Sequence, residues 1–370
     1  MKVTFLIGNG FDLNLGLETR YSDFLKEYKN PQEGDSAFIR HMKDKMQSDE
    51  KLWSNAEIAL GESTVEIKTD NDIVKLENVR SFSDFHIDYC VKMAAYLEKQ
   101  QERIPDLENS DNLVRKLANC LANFLSGLRT DSRQRVRESY SGVFGGISYN
   151  FIVFNYTEIL DSLIEKSKGH ENYLGQRKFQ NTNFANSFGS VIHVHGTTKE
   201  GMVFGVNDIS QIANRQAYSD MPEEYLRQLI KVYTNQDNEE QTDERAHQLL
   251  VDSDLIYIYG MSLGETDKLW WDRICRIMRT KPNLCLIVHS LDCQDDSLIR
   301  TKHLTFVREF REKFVNYSPK LTNEEKAGIE KRIFITSYNL FHEFKNIAVD
   351  NSKSESKGGI REIRHSDLSA

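Results

Sequence analysis

An α/β fold, with a mainly parallel sheet, helices on both faces and a large helical insertion, follows from three features of the chain. Short, almost purely apolar strands alternate with helical runs, as in sheets covered on both sides. Roughly 120 residues after the first strand look almost wholly helical, too many for one crossover. Four strands end in small, polar peptides, and ligands of parallel sheets bind beyond such carboxyl ends.

The first strand is the apolar run Val3 to Ile7, which breaks into Gly8-Asn9-Gly10. Glycine lets a backbone approach an anion closely, so this turn reads as a phosphate-type entry to a helix. Tyr21 to Tyr28 reads as an amphipathic helix, and Phe38 to Leu60 continues in helical style. Glu57 in that run reads as a solvated helix carboxylate. Thr64 to Asn78 reads as a loop, Phe82 to Ile104 as a long helix with Ser83 as its N-cap, and Leu113 to Leu128 as another helix. The strands then return: Ser148 to Phe154, ending in Asn155-Tyr156-Thr157; Ser190 to Val194, ending in His195-Gly196; and Met202 to Val206 as an edge strand. Ser210 to Leu250 reads as polar and helical. Leu255 to Tyr259 runs into Gly260-Met261-Ser262-Leu263-Gly264, and a helix over Asp267 to Met278 follows. Leu284 to Val288 and Arg332 to Thr336 complete the strands. The expected organisation is an α/β core over 1–35 and 140–348, a helical insertion or cap over 36–139, and a disordered tail over 350–370, where little can be buried.

The 370 residues carry a net charge of −8, which gives no general electrostatic reason for nucleic-acid binding. No apolar run approaches the roughly 20 residues that span a bilayer, and Val3 to Ile7 is too short for a signal peptide. A cytoplasmic protein is expected. The five cysteines form no C-x-x-C pair and are odd in number, so neither a disulfide framework nor a zinc ribbon is indicated.

The dinucleotide fingerprint fails, because Leu13 stands at the third glycine position and no acidic strand end follows at the expected distance. The P-loop pattern fails too. His193 and His195, at i and i+2 of a strand, could share a metal with Asp208, but a strand-interior His193 fits a structural role better and no metal is expected. His195 sits at the strand end beside Gly196, where a neutral imidazole can take a proton near pH 7.

The order GNGFDLNLGLET, FNYT, HVHG, IYGMSLGETD resembles the AbiH family of bacterial abortive-infection proteins. The same four motifs are more distantly similar to the sirtuin fold, a Rossmann-like NAD-binding core. That resemblance implies NAD as substrate or ligand. Gly8 to Gly10 would lie against the diphosphate, Ser262 against the nucleotide, and Asn155 beside the nicotinamide ribose or an attacking water. His195 would be the general base, and Asp12 a carboxylate near the charge developing on the ribose. The expected catalytic set is Asn155, His195 and Asp12; the nucleotide-binding set is Gly8, Asn9, Gly10, Phe11, Thr157, Gly260 and Ser262. Thr157 replaces the sirtuin acidic residue, Asp12 its serine, and the sirtuin zinc ribbon is missing, which disfavours a protein deacylase. The expectation is an antiphage effector that hydrolyses NAD or a related nucleotide. A non-catalytic nucleotide sensor is the alternative, and a nucleic-acid-targeting toxin ranks below both. A small-molecule nucleotide is the expected partner, with a phage-derived trigger, a partner protein and a homo-oligomer left open.

Overall fold

The computed structural model describes residues 1–70, 73–104, 111–237, 241–293 and 300–348. The tail expected over 350–370 lies outside the described residues.

The strands, in chain order, are β1 (Lys2–Ile7), β2 (Thr69–Asp70), β3 (Ile73–Val74), β4 (Ser148–Val153), β5 (Gln176–Phe179), β6 (Thr182–Ala185), β7 (Ser187–His193), β8 (Leu255–Tyr259), β9 (Cys285–His289) and β10 (Ile333–Thr336). Six of them form one sheet in the order β10-β9-β8-β1-β4-β7, and every neighbouring pair is parallel. The pairs β2–β3 and β5–β6 are small antiparallel hairpins. The chain starts in the middle, builds outward through β4 and β7, then returns to build the other half from β8. This is the doubly wound strand order, with its reversal between β1 and β8.

Alternate residues of each strand face opposite ways, and both faces are dry. Phe5, Phe151, Tyr257 and Ile287 face one cluster, with Leu117 and Leu121 of the helix Asp111–Ala122 and Leu163 of the helix Ile159–Ser167 packed on it. Leu6, Ile152, Ile258 and Leu286 face the other, covered by the helices Thr242–Asp252, Lys268–Thr280, Arg300–Asn316 and Asn323–Glu330. Burial on both sides explains why the strands are continuously apolar rather than alternating. A third cluster lies away from the sheet faces. Phe24, Trp53, Phe85 and Tyr89 pack there with Tyr156, Phe204 and Ile230, so the long helix Leu76–Gln101 is roofed onto the core by later loops.

Several local expectations differ. The run Phe38 to Leu60 breaks into Ala37–Ser48, Glu50–Trp53 and Ala56–Glu62, with the Asp49 carboxylate accepting from the Leu52 amide to start the middle piece. The long helix begins at Leu76, so Ser83 is inside it; its buried hydroxyl bonds Gln228. The loop expected over Thr64 to Asn78 holds the β2–β3 hairpin. Met202 to Val206 forms no strand: Val206 makes one isolated bridge to Ile230, and Phe204 turns into the third cluster. Among the described residues, no helix is long and apolar enough to cross a membrane.

Candidate functional site

Four adjacent strands, β8, β1, β4 and β7, end on one rim, and their terminal peptides Gly260–Gly264, Gly8–Asp12, Asn155–Thr157 and His195–Gly196 follow directly. The reversal between β1 and β8 opens a crevice there. It encloses about 290 Å³ and takes in Gly8, Asn9, Tyr21, Glu57, His195, Ser262 and Asp267. A second, smaller cavity lies alongside, against Asp12, Asn155, Thr157, Phe24 and Tyr96. Asn9, Tyr21 and Phe154 line both.

The glycines serve a closer purpose than the phosphate cradle expected of them. The Gly8 amide donates to the Tyr259 carbonyl at 2.9 Å and the Gly10 amide to the Gly260 carbonyl at 2.8 Å, so neither is offered to a ligand. A Cβ on Gly10 would stand 2.4 Å from the Gly260 Cα. Gly260 itself has φ +71°, which only glycine adopts readily. These residues clamp the β1 and β8 loops together and shape the crevice floor. Phe11 is also displaced from its expected nucleotide contact. It is fully buried in the sheet-face core, edge-on to Phe341 at 5.0 Å, because an aromatic ring starting the Gly10–Leu15 helix is better covered there.

Asp12 and Asn155 do come together. Asp12 is buried, and the Thr157 hydroxyl donates to its Oδ2 at 2.8 Å. Burial raises the carboxyl to about 6, against the opposing hydrogen bonds of Thr157 and Asn155. Asp12 Oδ1 and Asn155 Oδ1 have no hydrogen-bond partner among the described residues. His195 is buried on the crevice side, and its Nδ1 is also without a partner. Burial, and then the Lys231 charge, push its imidazole well below the usual range, so it is neutral at physiological pH. The Phe154 ring, 5.6 Å from the His195 ring and edge-on to it, lines both cavities.

His193 is not turned to a shared metal. Its Nε2 pairs with Asp161 Oδ2 at 2.7 Å and its Nδ1 lies 3.0 Å from the Asn155 carbonyl. Burial pulls its pKa down, but the Asp161 pairing outweighs it and the net shift is upward. Asp208 caps the short turn at Ser210 instead.

Three site residues escaped the sequence reading. Glu57, expected to be solvated, is buried and accepts from the Tyr21 hydroxyl at 3.0 Å and from Lys231 Nζ at 2.6 Å. Asp267 lines the crevice near both; burial raises its carboxyl to about 7, the Lys231 charge opposing and Glu57 adding. The available signal was one acid among Ala56, Ile58, Ala59 and Leu60, a run otherwise fit for the interior. No lysine or arginine lines the crevice among the described residues, so a phosphate there would depend on neutral donors such as Asn9, Asn55 and Ser262.

A doubly wound sheet, with a crevice at its reversal point and orphaned polar atoms near it, defines a Rossmann-like α/β protein with a pocket at the carboxyl rim. The chain belongs to the AbiH family: the family model for bacteriophage abortive infection AbiH matches residues 4–289. That span includes all four rim peptides, and membership implies a role in phage abortive infection. No curated protein matches the chain.

Proposed function

We propose that the protein binds NAD or a closely related adenine nucleotide at this rim and hydrolyses its nicotinamide–ribose bond as the effector step of abortive infection. The observation that carries the reading is the gathering of Asp12 Oδ1, Asn155 Oδ1 and His195 Nδ1 at one rim, all buried and all unpartnered. Buried polar atoms are nearly always satisfied, so three orphans at two cavities that share Asn9, Tyr21 and Phe154 fit a site that a ligand completes. The sirtuin-like order of the four rim motifs supports the ligand class.

In this reading the smaller cavity takes the leaving base against Phe24, Tyr96 and Phe154. As the glycosidic bond breaks, its electron pair neutralises the pyridinium nitrogen and positive charge builds on the ribose. Asp12, ionised above about pH 6, faces that charge. Asn155 orients the attacking water, the water oxygen bonds to the ribose carbon, and neutral His195 takes its proton and releases it to solvent.

Incubation of purified protein with NAD, and of the same protein in phage-infected lysate, tests this by nicotinamide release. Asn155→Ala and His195→Ala should each reduce turnover by roughly 10²–10⁴-fold. The second reading, a nucleotide sensor without turnover, is favoured by the placement of His195 and Asp12 in different cavities. NAD binding with no nicotinamide released in either setting would establish it. Nucleic-acid degradation insensitive to His195→Ala would sink both.

A further inference from the structure

We propose that Asp267, which lines the same crevice as His195 and lies near the Glu57–Lys231 pair, holds the hydroxyls of the ribose that carries the leaving base. The inference rests on the nucleotide reading above and names what one end of the crevice recognises.

Three observations converge. First, Asp267 faces the crevice, and no described residue hydrogen-bonds its carboxylate, whereas the neighbouring Glu57 is doubly bonded by Tyr21 and Lys231. Second, His195 lines the same crevice, is more than nine-tenths buried, and has no hydrogen-bond partner for its Nδ1 among the described residues. Third, among the described residues the cation that acts on both is Lys231, which is 3% exposed and committed to Glu57 at 2.6 Å.

The chemistry of the missing group follows from these three. Two carboxylates with one shared, inward-turned ammonium disfavour a phosphate at this end of the crevice, and no lysine or arginine lines it among the described residues to offset that. What suits an unpartnered carboxylate next to a neutral imidazole is a pair of adjacent hydroxyl donors. A ribose diol supplies two from one rigid ring, one for Asp267 and one for His195. The Glu57–Lys231 pair then has a definite part: Lys231 holds Glu57 away from the ligand and leaves Asp267 as the free acceptor.

Comparing ADP with ADP-ribose tests this ribose: ADP-ribose carries it on the terminal phosphate, which thereby loses one charge, and the variants below separate the two effects. Calorimetric titration of the full chain should show ADP-ribose binding on the order of tenfold or more tighter than ADP. Asp267→Asn should erase most of that gap by weakening ADP-ribose, with ADP bound no more weakly and the melting temperature no lower than in the wild type. Asp267→Ala should do the same, which guards against the amide substituting for the acid. Binding of both ligands with an unchanged gap in the two variants would overturn the ribose assignment alone. Binding of neither ligand would overturn the nucleotide reading and this proposal with it.

Discussion

Lys231 Nζ lies 2.6 Å from Glu57 Oε1, in a pair that joins residues 174 positions apart and is almost fully enclosed. Glu57 comes from the helix Ala56–Glu62 and Lys231 opens the helix Lys231–Asp237, so the contact ties two distant segments together at the crevice. Removing one member leaves the other charge buried without its counter-ion. Lys231→Met is expected to cost about 3–5 kcal/mol, read by chemical denaturation. The double change Lys231→Met/Glu57→Leu should recover much of that loss, because no unpaired charge then remains. A double variant no more stable than the single one would show that the pair contributes through packing rather than charge.

Asp12 predicts a stability gained by giving up the site. A carboxyl raised on folding from an ordinary 3.8 to about 6 binds protons more tightly folded than unfolded. Its contribution is therefore present below pH 4 and is lost as pH rises through about 6. At pH 7 the ionised, buried group costs about 3 kcal/mol. Asp12→Asn keeps an acceptor for the Thr157 hydroxyl and removes the charge, so it should stabilise the protein by about 2–3 kcal/mol at pH 7 and by little at pH 4. Urea titrations at the two pH values measure this. Equal effects at both would show that the native carboxyl is not raised.

How much of this was legible depended on whether the signal was local. The strands β1, β4, β8, β9 and β10 are apolar because both sheet faces are covered, and the rim peptides announce themselves as glycines, Asn and His at strand ends; both signals sit within a few residues. Asp12, Asn155, Thr157 and His195 were singled out that way, and the structure places them at the two rim cavities. Glu57, Lys231 and Asp267 were not, because their burial is created by segments far apart in the chain. Phe11 was misplaced because the sequence shows a turn but not which way its first ring swings. Met202 to Val206 has strand composition, yet Phe204 finds better cover among His86, Tyr89 and Tyr21 than an edge position would give. The amphipathic helices Arg300–Asn316 and Asn323–Glu330 were passed over because charge obscures their apolar stripe.

Gly10 and Gly260 meet backbone to backbone, with Gly10 donating its amide across the β1–β8 junction. An added methyl on Gly10 collides with main chain, which has no rotamer to yield. Gly10→Ala should therefore separate the two loops and destabilise the fold by about 3 kcal/mol, with loss of ligand binding at temperatures where the variant is still folded. Gly264→Ala is the control, since its nearest contacts are side-chain hydroxyls at 3.4 Å. A Gly10→Ala protein that melts and binds like the control would remove the junction from the account of the crevice.

His193 offers the last test, because it braces the peptide that carries Asn155. One ring nitrogen is 2.7 Å from Asp161 and the other 3.0 Å from the Asn155 carbonyl, so the imidazole fixes where the Asn155–Thr157 turn leaves β4. Its pKa is raised in the folded protein, the Asp161 pairing outweighing burial. The resulting stabilisation is complete below an ordinary histidine pKa near 6.5 and is lost as pH rises through the higher folded value. Asp161 is about a third exposed, so solvent screening limits the pair to roughly 1 kcal/mol. His193→Gln should thus lie about 1 kcal/mol below the wild type at pH 6, with the gap narrowing by pH 8.5. It should also weaken ADP-ribose at both pH values, because the loosened turn carries Asn155 and Thr157 away from Asp12. A narrowing stability gap with unaltered ligand affinity would confine His193 to the fold and free the Asn155 turn from its control.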